Sequence, residues 1–379
     1  MEKLRVGVIG TGFIGAVHVE TLQRLGNINV VAIADVNDPQ AKAQALFVEK
    51  GYADYKKMIE VENLDAVHIC TPNVLHYEQA MFAMRHGVHI MCEKPLTTSL
   101  ELARELNEFA REKGLFCAIN FMIRYNPMVM QIKQMVEHND VGRIFSIHGS
   151  YLQDWLYYDT DYNWRLEPDV SGESRAFADI GSHWIDMVEY TTGLRVTEVL
   201  ADFATFYPIR KKPNKPIETF AGMSLKPEDY DAVPIMTEDY VAVLFHFDNG
   251  AHGSCVISQM YAGRKNQTIL SIGGSKCAHH WDSESANDLW VGHRSAYNQT
   301  VVKDPSILYQ STREIISYPG GHGEGFADTF KHHFRDFYRA VEKGNADQTT
   351  FATFSDGARE MALAEAIVRS AKSKSWTEI

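Results

Sequence analysis

Apolar runs alternate with amphipathic stretches through the first third of the chain. The runs that read as buried strands lie at 4–9, 30–34, 64–70, 88–92 and 115–120. Stretches with the apolar spacing of a helix lie between them, at 13–25, 39–50, 75–86 and 99–113. Strands that alternate with helices of this length are typical of a parallel, doubly wound sheet. We therefore predict a doubly wound α/β domain over residues 1–124.

The pattern changes after residue 125, where longer apolar strands are separated by loops. These strands lie at 144–155, 196–207, 239–246, 251–261 and 267–273. Asp248-Asn249-Gly250 is typical of a hairpin between antiparallel strands, whereas 208–234, rich in Pro and Lys, is predicted to be a surface loop. Helices are predicted at 128–138, 326–343 and 355–373. Residues 125–379 are therefore predicted to form an α+β domain with a large, mostly antiparallel sheet.

The first strand leads directly into a glycine-rich turn and the first helix. Gly10, Gly12 and Gly15 have the spacing G-x-G-x-x-G, with Phe13 and Ile14 between the last two. This order of strand, turn and helix is the context in which a dinucleotide pyrophosphate binds at a helix N-terminus. We assign Gly10, Gly12, Phe13, Ile14 and Gly15 to this binding turn; the alternative is a structural glycine-rich turn.

A carboxylate follows the second strand at the distance that a dinucleotide-binding unit requires. Asp35 lies 20 residues after Gly15, where an acidic residue accepts hydrogen bonds from the adenosine ribose. A carboxylate at this place also repels a 2′-phosphate. The predicted cofactor is therefore NAD, with NADP disfavoured; the alternative is a solvated aspartate after the strand.

Two polar clusters follow later strands of the first domain. Thr71-Pro72-Asn73 and Glu93-Lys94-Pro95 both lie at carboxyl ends of strands, where ligands of open α/β sheets bind. A lysine at such a place can orient a substrate hydroxyl and stabilise its oxygen as the charge changes. We predict this role for Lys94; the alternative is a surface lysine in a turn.

An aspartate and a histidine four residues apart provide candidate acid–base chemistry in the second domain. If residues 177–186 are helical, Asp179, His183 and Asp186 share one face. Histidine exchanges protons near neutral pH, and Asp179 can hold a substrate hydroxyl or orient the imidazole. The alternative is a helix cap followed by a packed core histidine. A metal site is poorly supported, since no further ligand is evident.

Composition narrows the classes of partner. A formal net charge of −12 over 379 residues argues against nucleic acid or an anionic membrane. No signal peptide or membrane-length apolar run is evident. The five cysteines are scattered without a C-x-x-C pair, which favours a reducing, cytoplasmic location.

Taken in order, these motifs resemble those of the Gfo/Idh/MocA oxidoreductase family, named for glucose–fructose oxidoreductase and inositol dehydrogenase. The resemblance extends over essentially the whole chain and rests on five motifs: GTGFIG at 10–15, Asp35, Thr71-Pro72-Asn73 with His76, Glu93-Lys94-Pro95, and DIGSHWID at 179–186. It implies an N-terminal Rossmann domain, a second domain whose open sheet face forms an oligomer interface, and a homodimer or homotetramer.

The resemblance also implies roles for individual residues. Lys94, Asp179 and His183 would be catalytic, with His183 as the acid–base group and a Lys94–Pro95 peptide that is often cis. Thr71, Pro72, Asn73, His76, Glu93 and Lys94 would contact the cofactor.

Further residues are assigned to the substrate. Asn163-Trp164-Arg165 resembles a segment of some sugar-oxidising relatives, in which Arg165 would bind hydroxyls and Trp164 would stack on a ring. Tyr125 is assigned to the same group, and His322 lies in a turn that reaches the pocket in some relatives. The alternatives are a loop packed on the sheet edge for 163–165 and a surface position for His322.

The sequence thus predicts an NAD-dependent oxidoreductase that transfers hydride to or from a ring carbon of a sugar, sugar derivative or cyclitol. Two alternatives stay open. One is a non-catalytic nucleotide-binding sensor of the same fold. The other is a dehydrogenase with a non-sugar substrate, such as a dihydrodiol or an imine.

Overall fold

The structure is a computed structural model that describes residues 3–214, 226–347 and 349–379. It divides into two compact units. The first comprises Met1–Asn126 and Glu324–Met361, and the second Pro127–Gly323 and Ala362–Ile379. The sequence prediction ended the first domain at residue 124, but a later segment also folds with this unit because its helix packs on the first helix of the chain.

The first unit contains a six-stranded parallel sheet with the order β3-β2-β1-β4-β5-β6. Its strands are β1 Leu4–Ile9, β2 Ile28–Ala34, β3 Lys50–Tyr52, β4 Ala66–Ile69, β5 His89–Cys92 and β6 Cys117–Ile119. Its helices are α1 Phe13–Leu25, α2 Pro39–Ala45, α3 Tyr55–Val61, α4 Asn73–Arg85 and α5 Leu100–Lys113. This is the doubly wound Rossmann topology, as predicted.

Two short elements of this unit were not predicted. The helix expected over 39–50 ends at Ala45, and the strand β3 and the helix α3 follow it. Phe47 has a left-handed backbone with φ of 56°, which ends the helical path. β3 has only three residues and pairs along one edge of β2, so its sequence carries little apolar periodicity.

The second unit is built on a nine-stranded sheet with the order β16-β15-β14-β13-β7-β12-β11-β8-β17. Only the β7 and β12 pair is parallel in this sheet, which confirms the predicted mostly antiparallel arrangement. The strands are β7 Ile144–Leu152, β8 Val196–Ala204, β11 Tyr240–Phe247, β12 His252–Ser258, β13 Gln267–Gly274, β14 Ala278–Asp282, β15 Asp288–Gly292, β16 Gln299–Val302 and β17 Thr377–Glu378. The helices are α6 Pro127–Glu137, α7 Pro168–Ser171, α8 Ser182–Thr192 and α9 Gln310–Ile315.

A separate antiparallel pair occupies part of the predicted surface loop at 208–234. β9 Ile209–Pro213 pairs with β10 Tyr230–Pro234. The loop prediction is wrong for these ten residues, because Arg210 points inward from β9 and is fully buried. The rest of the predicted loop includes residues 215–225, which lie outside the described residues.

The nine-stranded sheet has a buried face and an exposed face. Val243 and Phe245 of β11 are buried, whereas Leu244 between them is 46% exposed. The strand registers place one row of side chains on the face of Leu244: Leu200, Leu244, Ser254, His148, Ser271, His280 and Trp290.

The last two helices are α10 Phe326–Lys343 and α11 Phe354–Ser373. α10 packs on α1 within the first unit, where the rings of Phe330 and Phe334 contact His18 at centroid distances of 5.6 and 4.8 Å. Arg24 of α1 donates to Asp328 of α10 at 2.8 Å. In the described part of the chain, no helix has the length and apolar character needed to cross a membrane.

Candidate active site

The glycine turn after β1 has the geometry that a dinucleotide pyrophosphate requires. Gly10 has φ of +81°, and a Cβ on Gly15 would lie 1.9 Å from the Gly10 carbonyl oxygen. These two glycines therefore allow the tight turn and the close packing of α1. A Cβ on Gly12 would meet nothing within 4 Å, so the backbone is open there to a ligand. Phe13, the first residue of α1, is 60% exposed.

Asp35 lies beside this turn, and protein donors bind both of its oxygens. Oδ2 accepts hydrogen bonds from the amide and hydroxyl of Thr11 at 2.8 and 2.7 Å. Oδ1 accepts from the amide of Asn37 at 3.0 Å and pairs with the Lys42 ammonium at 2.8 Å. Burial raises the pKa of Asp35, but these donors outweigh it and the pKa lies below its ordinary value. Asp35 is therefore an anion fixed at the end of β2.

His76 joins the two polar clusters that follow β4 and β5. Its Nδ1 lies 2.9 Å from the Pro95 carbonyl oxygen and its Nε2 lies 2.8 Å from that of Thr71. Burial lowers the pKa of His76 although the carbonyl contacts oppose this. The ring is fully buried and links the loops around Thr71 and Pro95. Its contact with the cofactor stays a prediction.

Glu93 and Lys94 point to different surroundings although they are neighbours in sequence. The Glu93 carboxylate is buried and accepts hydrogen bonds from His18, Asn120 and the Lys94 amide. Those donors hold the Glu93 side chain inside the unit, and its contact with the cofactor stays a prediction. Lys94 is half-buried, and the Lys94–Pro95 peptide is cis, as the resemblance implies.

The first unit thus fits NAD at the places that the sequence indicates. The turn from Gly10 to Gly15 would hold the pyrophosphate at the N-terminus of α1, and Asp35 stands where the adenosine ribose would lie. Pro72 and Asn73 begin α4 at the carboxyl end of β4. These residues and Thr71 remain predicted cofactor contacts.

In the second unit, Asp179 lies in a π-helical turn, Phe177–Gly181, that runs into α8. Oδ1 of Asp179 accepts a hydrogen bond from Arg165 Nε at 3.2 Å, and Oδ2 accepts one from Gln259 Nε2 at 3.0 Å. π-turns are rare and occur frequently at functional sites. The predicted helix therefore forms, and its aspartate is held from two sides.

Arg165 and Trp164 stack on each other next to this aspartate. The guanidinium carbon of Arg165 lies 4.6 Å from the centroid of the Trp164 ring. Asn163 begins this short 3₁₀ turn, with its side chain accepting from the Arg165 amide at 3.0 Å. The structure thus brings Trp164, Arg165 and Asp179 together, as expected for a common site.

A buried network of charges supports Asp179 from behind. Gln259 Oε1 accepts from Arg175 Nη1 at 3.0 Å, and the Arg175 guanidinium pairs with Asp239. Arg210 also pairs with Asp239, at 2.8 Å. These three charged side chains are fully buried. No sequence motif predicted this network. The signal that could have indicated buried acids is the pair Glu238-Asp239 immediately before an apolar strand.

His183 lies in the first turn of α8 and is 6% exposed. Its ring centroid lies 6.3 Å from that of Tyr151, a buried tyrosine of β7. Burial and the charge of Asp179 raise the pKa of Tyr151, which therefore stays neutral. His183 is thus a largely buried imidazole one helical turn after Asp179.

Two predicted substrate residues lie in other surroundings. Tyr125 is fully buried in the first unit, where its hydroxyl donates to Asp336 at 2.6 Å and its ring stacks on His333. The Tyr125 side chain thus packs in the core of this unit, and its contact with substrate stays a prediction. His322 is exposed on its turn, where its Nδ1 lies 3.2 Å from the Gly320 carbonyl oxygen.

Among the described residues, no group of three or more His, Cys, Asp or Glu side chains has the arrangement of a metal site.

Comparison with known proteins identifies both parts of the chain. Residues 4–121 match the family model described as "Oxidoreductase family, NAD-binding Rossmann fold", and residues 129–278 match the "GFO/IDH/MocA C-terminal domain". The chain is 28% identical to levoglucosan dehydrogenase of Pseudarthrobacter phenanthrenivorans over 395 aligned residues, covering 100% of this chain and 99% of the relative. It is 29% identical to myo-inositol 2-dehydrogenase of Thermotoga maritima over 201 residues, 52% of this chain and 58% of the relative.

Solved structures agree with this assignment. A structure titled levoglucosan dehydrogenase in complex with NADH and L-sorbose has a TM-score of 0.88 and 28% identity, covering 100% of this chain and 99% of that one. The predicted fold, the NAD cofactor and the oxidoreductase class are thereby confirmed. Both halves of the chain thus carry one family's signature, and the protein belongs to the Gfo/Idh/MocA oxidoreductases.

Proposed function

We propose that this protein is an NAD-dependent dehydrogenase that oxidises a ring hydroxyl of a neutral sugar or cyclitol. The observation that carries the proposal is the placement of Asp179, held by Arg165 and Gln259 one helical turn before His183. The names of the relatives support the substrate class, since levoglucosan and myo-inositol dehydrogenases act on hydroxyl-rich rings.

The proposed oxidation removes a proton from the hydroxyl oxygen and a hydride from the carbon that bears it. Bound NAD⁺ supplies the hydride acceptor for the C–H bond of the hydroxyl-bearing carbon. His183 accepts the hydroxyl proton, and Lys94 donates a hydrogen bond to the oxygen as the carbonyl forms. Asp179, which pairs with Arg165, orients the substrate hydroxyl or the imidazole. In the reverse direction, His183 returns the proton.

The charges around Asp179 favour an uncharged substrate. Arg165 pairs with Asp179, and Arg175 and Arg210 both pair with Asp239. Arg175 and Arg210 are also fully buried, so neither is available to a phosphate or a carboxylate. The paired Arg165, stacked on Trp164, suits neutral hydroxyl groups and an apolar ring face. We therefore expect levoglucosan or myo-inositol to be oxidised faster than glucose 6-phosphate.

The test combines substrates with variants. The protein is incubated with NAD⁺ and each polyol, and the absorbance of the reduced cofactor is followed. Lys94→Ala and His183→Ala should each lower kcat by about a hundredfold or more, since general acid–base groups contribute that much. The Kd for NAD⁺, measured by calorimetry, should change less than about twofold because the glycine turn and Asp35 would still hold the pyrophosphate and the adenosine ribose.

The outcomes separate the alternatives. Full turnover by the Lys94→Ala/His183→Ala double variant contradicts the mechanism. NAD⁺ binding without turnover of any polyol supports the nucleotide-binding sensor. Turnover of a dihydrodiol in preference to every sugar supports the non-sugar dehydrogenase.

A further inference from the structure

Six polar side chains form a buried cluster in the first unit, below the loop that carries Lys94. We call it the Glu93 cluster, and each of its members is at most 8% exposed. It consists of His18 on α1, His68 on β4, Glu93 after β5, Asn120 after β6, and His333 and Tyr338 on α10.

The direction of the first hydrogen-bond chain follows from its far end. The Tyr338 hydroxyl has one hydrogen-bond partner among the described residues, His68 Nε2 at 2.8 Å. Burial raises the pKa of Tyr338, so the hydroxyl keeps its hydrogen. A buried hydroxyl hydrogen without an acceptor is destabilising. Tyr338 therefore donates, and His68 Nε2 accepts.

The direction of the hydrogen bonds continues through His68 and His18 to Glu93. Burial lowers the pKa of His68 well below its ordinary value, so the neutral ring carries its one hydrogen on Nδ1. That atom lies 2.8 Å from His18 Nδ1, which must accept. The hydrogen of His18 is then on Nε2, which lies 3.0 Å from Glu93 Oε1. Every donor in this chain points toward Glu93.

A second chain ends on the same carboxylate oxygen. His333 Nδ1 lies 3.0 Å from Asn120 Oδ1, an acceptor, so His333 donates there. Burial lowers the pKa of His333 to about 3, which keeps the ring neutral. The Asn120 amide donates to Glu93 Oε1, and its nitrogen lies 3.3 Å from His18 Nε2, as expected for two donors that share an acceptor.

We propose that the Glu93 cluster is a positioning device for Lys94, in which two neutral hydrogen-bond chains converge on Glu93 and hold it as a carboxylate. The Lys94 amide donates to the other oxygen, Oε2, at 3.3 Å. Tyr338 and His333, at the far ends, are both fully buried. The chains therefore have no exit to water and fix orientation instead of conducting protons.

Among the titratable groups around the Glu93 carboxylate, Lys94 is the cation. The groups that act on Glu93 from the surrounding elements are His18, Cys70, His76, Cys92, Lys94 and His333. Burial favours the neutral forms of the cysteines, His76 and His333, and the hydrogen-bond direction makes His18 neutral. The charge of Lys94 in turn helps to lower the pKa of Glu93 to about 2, which keeps Glu93 a carboxylate beside the lysine that it positions.

The direct test is the position of the ring hydrogens. The full chain, labelled with nitrogen-15 histidine, is observed by NMR with and without NAD⁺, and the rings are assigned with single substitutions. We expect His18 as the neutral Nε2–H form, and His68 and His333 as neutral Nδ1–H forms. A protonated His18 ring, or His18 with its hydrogen on Nδ1, overturns the proposal.

The second test is kinetic and rests on the proposed function. His18→Gln keeps an amide donor for Glu93, whereas His18→Leu removes it. We expect kcat of His18→Gln within about threefold of the unchanged protein, and kcat of His18→Leu at least about tenfold lower, with a new decrease toward acid pH as Glu93 becomes protonated. KM for NAD⁺ should stay within about twofold in both.

Glu62→Gln provides the matched control. Glu62 is also a buried carboxylate of the first unit, but its partners are Lys50, Arg5 and Tyr52. This variant should lose stability without a change in the pH profile of kcat. An unchanged pH profile in folded His18→Leu overturns the positioning role. Absence of turnover with every polyol contradicts the proposed function alone, because the NMR result does not depend on turnover.

Discussion

The Asp35 side chain is already held by contacts within the protein on both of its carboxylate oxygens. Thr11 fixes one carboxylate oxygen, and Lys42 and the Asn37 amide occupy the other. The Lys42 side chain is 34% exposed, so its contact is screened by water and is weak. A ribose hydroxyl can therefore displace Lys42, whereas the Thr11 contacts keep the carboxylate oriented toward the glycine turn.

Replacement of Asp35 should change the preference between the two nicotinamide cofactors. Asp35→Ser removes the charge that repels a 2′-phosphate and leaves Lys42 nearby to attract it. We expect the Kd for NAD⁺ to rise about tenfold and the Kd for NADP⁺ to fall, in keeping with the loss of a charged hydrogen bond. Calorimetric titration of both cofactors measures this.

Asp38→Ser is the control for that experiment. It removes the same charge three residues later, at a side chain that caps α2 by accepting from the Ala41 amide. The cofactor preference should remain that of the unchanged protein. Tighter binding of NADP⁺ than NAD⁺ before any substitution contradicts the assigned role of Asp35.

At the scale of elements, one aspartate joins a hairpin, a sheet and a π-turn. Asp239, immediately before β11, pairs with Arg210 on β9 and with Arg175 before the π-turn. Arg210 also donates to the carbonyl oxygens of Tyr158 and Asp161, in the loop that leads to Trp164. The segments that surround Asp179 are therefore tied to one buried charge.

Loss of the Asp239 charge should lower the free energy of unfolding. Asp239→Asn leaves two buried guanidinium groups without their anion, and breaking a buried pair in this way costs about 3–5 kcal/mol. Urea denaturation measures the change in the free energy of unfolding. Asp202→Asn, an exposed position on β8, should change it by about 0.5 kcal/mol or less.

The same variant should change the dependence of stability on pH. Burial raises the pKa of Asp239, but Arg175 and Arg210 outweigh it and lower the pKa below the ordinary value. A lowered folded-state pKa stabilises the protein above the ordinary carboxyl pKa of about 3.9, and this is lost as the pH falls through the folded-state value. Asp239→Asn should therefore lose less stability on acidification; an equal loss contradicts the assignment.

The sequence predicts elements well where their patterns are local. β1, the glycine turn and α1 form a continuous signal, and the apolar run of β4 ends where Thr71 begins. β3 and β9 were missed because short edge strands carry little periodicity. The Glu93 cluster and the Asp239 network were missed for a different reason. His18 and His333 are connected through Asn120 only in the folded chain, and no spacing rule relates residues so distant in sequence.

The candidate site shows the same difference between local sequence patterns and contacts of residues distant in sequence. Asp179, His183 and Lys94 lie in short motifs whose chemistry can be recognised from spacing. Gln259, which holds Asp179, lies after a strand 80 residues later. The burial of Tyr125 could not be predicted, since an aromatic residue near a predicted domain boundary has no pattern that separates core packing from ligand contact.

At the scale of the whole molecule, the resemblance implies assembly through the exposed face of the nine-stranded sheet. Leu244 and Trp290 are 46% and 39% exposed on that face, among the row defined above. Large apolar side chains that are exposed on a sheet face are found at interaction surfaces. The homodimer or homotetramer nevertheless remains a prediction.

Light scattering in solution tests the assembly. We expect a mass of two or four times 42.9 kDa, because a closed assembly buries the face on each copy. Leu244→Arg should reduce the mass, since it places a charge beside Leu200 on that face. Phe47→Arg, which replaces an apolar residue that is 91% exposed in the first unit, should not. An unchanged mass in Leu244→Arg contradicts this choice of surface.

The return of residues Glu324–Met361 to the first unit has a consequence for biosynthesis. α10 supplies the aromatic rings that cover His18 and two of the six members of the Glu93 cluster. A ribosome that has released only the opening 126 residues therefore exposes a nucleotide-binding half whose interior is unfinished. Maturation of that half must wait until α10 has been translated, and a nascent chain stalled before α10 is the species on which chaperones would act.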